Sequence, residues 1–230
     1  MRKENLLYVF VIYFFVACQT QKTASYPAGI DHVIVIGVDG MSPDGIRNAT
    51  TPVMDNMIAD GAVKWKVRTV LTTASSQNWA SMIMGAGPEQ HGIINNDWER
   101  DDHTLPPVVA GKEGIFPSIF GIIREQKPDA EIGAVYHWSG FGRLFEKKAV
   151  NYDKNFSTED STAADFINYI KTKKPTFGFV HFDHVDHAGH HDGHGTRQYY
   201  AAGAKADSLI GAVLKAIKEA GMDKNTLVIV

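Results

Sequence analysis

A single cysteine, Cys18, stands in 230 residues, so no disulfide can form within the chain and its stability has to come from a packed core. Nor is there a cationic excess. The 23 Lys and Arg against 26 Asp and Glu leave a net charge of −3, which gives no electrostatic footprint for nucleic acid or for an anionic membrane surface. Long apolar runs are missing as well: the run of twelve residues from Leu6 to Ala17 falls short of the ~20 residues that a membrane-spanning helix requires. Internal repeats and long low-complexity segments are absent, apart from one dense histidine cluster. What is present, 44% hydrophobic and 21% charged residues, is the composition of an ordinary globular domain with enough apolar side chains to bury a core.

The first residues are organised as an export signal: Arg2 and Lys3, then the apolar run, then the small Ala17 directly before Cys18. A small residue before a lone cysteine resembles the bacterial lipobox, after which the cysteine carries lipid and becomes the first residue of the mature chain. A plain secretory signal or an uncleaved anchor is the alternative, because Phe15, Val16 and Ala17 lack the usual leucine. Both readings export the chain, and the first holds it in the bacterial cell envelope through lipidated Cys18. Residues 1–18 are then the signal, 19–30 a small, polar tether containing Pro27 and Gly29, and 31–230 the folded part.

Beyond the tether the pattern alternates between strand and helix. His32 to Val38 is a continuous β-branched apolar run closed by Asp39-Gly40, as in a strand buried on both faces of a parallel sheet. Pro52 to Ala62 has helical spacing with Thr51 as its expected cap. A helix over Ser118 to Glu125, a strand over Ile132 to Tyr136, a helix over Ser161 to Lys171, a strand over Thr176 to Phe182 and a long helix over Gln198 to Ala220 follow. Thr226 to Val230 reads as a last buried strand. This alternation predicts an α/β fold, a mostly parallel central sheet with helices on both faces. Because ligands in such sheets gather beyond the strand carboxyl ends, and the sequence stops at a strand, it is expected to be the amino-terminal part of a longer catalytic domain.

Chemistry-bearing residues concentrate after the strands. Asp39 follows the first strand directly; alone, such a residue is more often a turn residue or helix cap than a ligand. From His181 to Gly195, six histidines and three aspartates fall in fifteen residues, an imidazole and carboxylate set suited to zinc and its first-row neighbours. Within it Asp186 and His190, four apart, share a face if the segment is helical. Between these regions a hydroxyl-rich turn, Thr72 to Gln77, runs into an apolar helix, Asn78 to Met84. Ser75 and Ser76 thus sit at a helix N-terminus, where they either cap the helix or meet an anion.

Four stretches, IGVDGM at Ile36 to Met41, TPVMDNMIADGA at Thr51 to Ala62, NWASMIMGAGPEQHGI at Asn78 to Ile93 and DHAGH at Asp186 to His190, together resemble the alkaline phosphatase superfamily, in its type I phosphodiesterase and nucleotide pyrophosphatase branch. The resemblance runs from Asp31 to Val230. It implies that Asp39 is a metal ligand, that Ser75 is the nucleophile and itself a ligand, that Asn96 holds a phosphoryl oxygen, and that Asp186 and His190 are further ligands of two divalent ions, zinc above all. An Asp-His pair after the next strand and one later histidine would complete the set, beyond Val230, so the present stretch alone is expected to be inactive. The branch usually carries threonine, an aromatic residue and proline where this chain has Ser75, Ser76 and Gln77, which removes an aromatic that would stack a nucleobase. The sulfatase pattern is absent too, lacking its proline and arginine.

The implied reaction is hydrolysis of a small phosphate ester, diester or monoester, through a phosphoseryl intermediate. His181, His184, His187, His191 and His194 are surplus to the motif and read either as exposed loop residues or as groups that orient ligands; His91 reads as structural. A competing expectation from another functional class is an exported, non-catalytic zinc-binding lipoprotein that uses residues 181–194.

Overall fold

The computed structural model describes residues 29–230; the signal, Cys18 and most of the tether lie outside the described residues. Strands β1 (His32–Val38), β2 (Ile132–Tyr136), β3 (Tyr152–Asn155), β4 (Phe177–Phe182) and β5 (Thr226–Ile229) form one sheet in the order β3-β2-β4-β1-β5, every neighbouring pair parallel. All-parallel pairing brings the strand carboxyl ends to one edge. There Val38 of β1 lies opposite Phe182 of β4, and the Asp39 amide continues the ladder to the Phe182 carbonyl at 2.8 Å.

Among the described residues eight α-helices accompany the sheet: α1 (Pro43–Asn48), α2 (Pro52–Asp60), α3 (Ser75–Met84), α4 (Pro88–His91), α5 (Ile119–Gln126), α6 (Glu159–Lys173), α7 (His184–Asp192) and α8 (Arg197–Glu219). Because side chains alternate along a strand, each strand feeds two cores. Phe177 and Phe179 of β4 pack with Trp79 of α3 and Phe120 of α5 on one face. Val180 and Phe182 pack with Phe166 of α6 and Ile210 of α8 on the other. The expected α/β architecture, with helices on both faces, is the one found.

Local differences have physical reasons. Thr51 stands at the N-cap of α2 but makes no capping bond; its hydroxyl donates to the Ile46 carbonyl at 2.9 Å. The buried Asp207 of α8 caps α2 in its place, accepting from the Val53 and Met54 amides at 3.1 and 2.8 Å, a tertiary cap that no local pattern reveals. Strand β3, Tyr-Asp-Lys-Asn, is a mostly exposed edge strand without apolar signal. Strand β5 was expected to be buried, yet Leu227 and Ile229 are about half exposed, since it pairs with β1 alone at the other edge.

Candidate active site

Asp39 is held by three tertiary devices. The Trp79 indole N–H donates to its Oδ2 at 2.9 Å, and Trp79 can lie across β1 there because Gly37 has no side chain: a Cβ at Gly37 would stand 2.5 Å from the indole ring. Gly40, with φ of +72°, turns the chain away so tightly that a Cβ would stand 2.4 Å from the Asp186 Cα. The third is the buried Tyr199 of α8, whose hydroxyl donates to the Gly40 carbonyl at 2.7 Å and so fixes the turn.

Ser75 opens α3, three residues earlier than the apolar pattern predicted. Serine capping of this helix is not observed: the N-cap is Ala74, with no side-chain bond, and the Ser76 hydroxyl is fully buried without a hydrogen-bond partner among the described residues. The helix N-terminus is instead tied to the loop after α4, where Asn96 Oδ1 accepts from the Ser76 amide at 2.9 Å. Arg143 steadies that loop, donating to the Asn96 carbonyl at 2.8 Å and to Glu99 Oε1 at 2.5 Å. Since the Asn96 oxygen is engaged, its amide N–H groups are the donors left for a ligand. Gln77, also buried, donates to the Thr72 hydroxyl and the Ile94 carbonyl. His91 is structural as expected: buried, its Nδ1 accepts from the Ile93 amide at 3.0 Å and its Nε2 lies 3.0 Å from the Ser81 hydroxyl. Burial lowers its pKa from 6.5 to about 4.

Of the sequence-predicted groups, Asp39, Ser75 and Asp186 come close enough to influence one another at this edge of the sheet. Burial raises the Asp39 carboxyl, but the His181 imidazole, the Trp79 N–H and the Ser75 hydroxyl outweigh it, and its pKa falls below the usual 3.8. Asp186 moves the other way, raised by burial and then by the charge of Asp39. Asp183 is also raised by burial, with Asp39 adding to it. A carboxylate raised by burial and by a neighbouring carboxylate's charge marks a place where a cation would be held.

His190 pairs with Asp186 across one turn of α7, Nε2 to Oδ2 at 3.4 Å, with its ring 83% exposed. A group of three candidate ligands at this edge is drawn from other residues. Asp39, His181 and Asp183 place ligand atoms within 4.8 Å of one another, while Asp186 and His190 sit to one side on α7. Both donor set and charge fit a divalent metal, and His181 Nε2 lies 3.7 Å from Asp39 Oδ2, outside hydrogen-bond reach, so that neither ring nitrogen is satisfied among the described residues.

The exposed-loop expectation holds for His194, in the turn after α7, whereas His187 and His191 are exposed but helical, on α7 itself. It fails for His181, which is 0% exposed because it is the penultimate residue of a central strand, opposite Gly37. His184 is only partly exposed, at the start of α7, and His194 approaches the Ser42 hydroxyl at 2.9 Å. Asp183, which follows β4 as Asp39 follows β1, was missed as a site residue. The signal was present, since equal offsets after two adjacent parallel strands put two side chains together.

Comparison with known proteins places this geometry. Residues 33–230 match the family described as Type I phosphodiesterase / nucleotide pyrophosphatase. The chain is 21% identical to rat ectonucleotide pyrophosphatase/phosphodiesterase family member 1 over 222 residues, 90% of this chain and 24% of that relative. It is 21% identical to the mouse bis(5'-adenosyl)-triphosphatase of the same group over 216 residues, 87% of this chain and 46% of the other. Among solved structures, murine ectonucleotide pyrophosphatase / phosphodiesterase 5, as an inactive variant in complex with AMP, superposes with a TM-score of 0.70 at 22% identity, covering 86% of this chain and 55% of that one. Phosphonoacetate hydrolase from Sinorhizobium meliloti 1021 gives 0.61 at 15% identity, covering 83% and 55%. The chain thus spans between about a quarter and about half the length of these relatives.

Proposed function

The chain belongs to the type I phosphodiesterase / nucleotide pyrophosphatase family, and from that premise we propose that it carries the nucleophile side of a metal-dependent hydrolase of small phosphate esters. The observation that carries the reading is the joining of α3, which begins at Ser75, to Asp39 at the end of β1 through the Trp79 indole, with Asn96 bonded to the Ser76 amide beside Ser75. Thirty-six residues separate Ser75 from Asp39, and only the fold joins them.

Asp39, Ser75, Asp186 and His190 would hold two divalent ions, zinc by donor type, with His181 and Asp183 beside them; such ions lower the pKa of a hydroxyl and offset charge on a phosphoryl group. Ser75 Oγ attacks phosphorus, the ester oxygen leaves, and a phosphoserine forms that water then hydrolyses. Asn96 donates its amide N–H to a nonbridging phosphoryl oxygen, held in place through the Ser76 amide and Arg143. Trp79 keeps the Asp39 carboxylate oriented. Diesters and monoesters both suit this chemistry. The triphosphatase relative and the AMP complex of the structural neighbour favour nucleotide-like esters, whereas the buried Ser76 offers no aromatic face beside Ser75. Export, with attachment to the cell envelope by lipid on Cys18, belongs to the same proposal.

The test is Ser75→Ala in the full-length protein, assayed on an aryl phosphodiester with bound metal quantified in parallel. Hydrolysis is expected to vanish while most metal stays; an undiminished rate would remove the mechanism.

A further inference from the structure

Away from Ser75, a second group of potential ligands joins three elements. His137 follows β2, Glu159 is the first residue of α6 and His184 is the first residue of α7, and one ligand atom from each lies within 4.8 Å of the others. His137 Nε2 lies 3.1 Å from the Ser157 carbonyl. A carbonyl only accepts, so the proton is on Nε2 and Nδ1 carries the lone pair. That Nδ1 is shielded from solvent and has no hydrogen-bond partner among the described residues; both ring nitrogens of His184 are shielded too, with the Ala202 backbone near one of them but too far or too skewed for a full hydrogen bond. Orphaned buried imidazole nitrogens are costly. Acidic placement at a helix N-terminus accounts for Glu159 alone, and leaves both imidazoles unexplained.

We propose that His137, Glu159 and His184 form a further metal site, taking one divalent transition ion of the zinc type, separate from Ser75 and its ligands. Two imidazoles and one carboxylate are a zinc donor set with a fourth position for water. An imidazole that gives its other N–H to a backbone carbonyl, as His137 does to Ser157, is the usual arrangement of a ligating histidine. Bonds of ~2.1 Å need donors ~3.4 Å apart, so donors spread as widely as 4.8 Å close on the ion by side-chain shifts under ~1 Å. Glu159, partly exposed on the first turn of α6, can supply much of that shift. The nearby cation does not oppose the ion at full strength, because Lys205 Nζ is paired with Asp160 Oδ1 at 2.5 Å. Bound there, the ion would tie the start of α7, and with it Asp186 and His190, to β2 and α6. It also gives part of the histidine-rich segment a purpose that owes nothing to the exposed His187 and His191.

Bound zinc per chain, after gel filtration in micromolar zinc, tests this in the full-length protein. Glu159→Gln, at a partly exposed helix start where folding should survive, is expected to hold one equivalent less than the parent. In an Asp39→Asn/Asp186→Asn/His190→Ala background one equivalent should remain, and adding Glu159→Gln or His184→Gln should remove it. Cobalt(II) loaded into that background should give the visible bands of a four-coordinate ion, lost with Glu159→Gln. Unchanged zinc in the Glu159→Gln protein, or a background that shows a native circular dichroism spectrum and binds no ion, would overturn the proposal. Neither result bears on Ser75, whose role is judged by hydrolysis alone.

Discussion

Trp79→Phe isolates the contact that orients Asp39. Two effects on stability add. The indole N–H bond to the Asp39 carboxylate, 2.9 Å long, is charge-assisted, and losing it leaves a partly buried oxygen without that donor, at a cost of about 1.5–3 kcal/mol. The smaller ring also leaves unfilled space between Gly37, Phe141 and Phe179, which costs about 1 kcal/mol more. Denaturant unfolding should therefore show a loss of roughly 2.5–4 kcal/mol. Metal affinity should fall about 10- to 100-fold as Asp39 loses its orientation, read by zinc titration against a competing chelator. Repeating the substitution in an Asp39→Asn background separates the two effects, because the charge-assisted part of the stability loss should then shrink and leave chiefly the packing part. A Trp79→Phe protein that keeps zinc affinity within twofold and stability within about 0.5 kcal/mol would refute the idea that the indole positions the carboxylate.

Asp39→Ala or His190→Ala should lower bound metal and abolish hydrolysis, since each removes a candidate ligand; full metal content and rate in both would show the assignment to be wrong. Gly40→Ala should destabilise by roughly 2–4 kcal/mol, because a left-handed backbone meets a Cβ 2.4 Å from the Asp186 Cα, and a thermal melt unchanged from the parent would contradict that packing. His91 gives a pH dependence. The unfolded chain takes up a proton near pH 6.5, but the folded one only near pH 4, so this contribution to stability is present above 6.5 and is lost as pH falls toward 4. Between pH 7 and pH 5 the loss should be about 2 kcal/mol, and His91→Asn should flatten that part of the curve in urea unfolding. Cys18→Ala should release the protein from membranes without altering its rate; tight association in cell fractionation would point to the apolar run as an uncleaved anchor.

The amino-acid sequence by itself determined the alternation of strands and helices, because a parallel sheet covered on both faces demands continuous apolar runs at β1, β2 and β4 and one-sided apolar spacing at α2 and α8. It also located Asp39, since a carboxylate directly after such a run has to lie at the sheet's carboxyl edge, and it placed Ser75 at a helix start. Tertiary structure alone decided the rest. Edge strand β3 has no apolar pattern, because half of its pairing and most of its side chains face water. The cap of α2 comes from Asp207, more than 150 residues away. Counting histidines could not rank them. His181 is buried by the position of β4 between β1 and β2, and His184 gains His137 and Glu159 as neighbours because the residue after β2 and the first residues of α6 and α7 come together. Spacing along the chain states which side chains share a strand or a helix face, whereas a ligand set drawn from separate elements exists only after the sheet order brings those elements together.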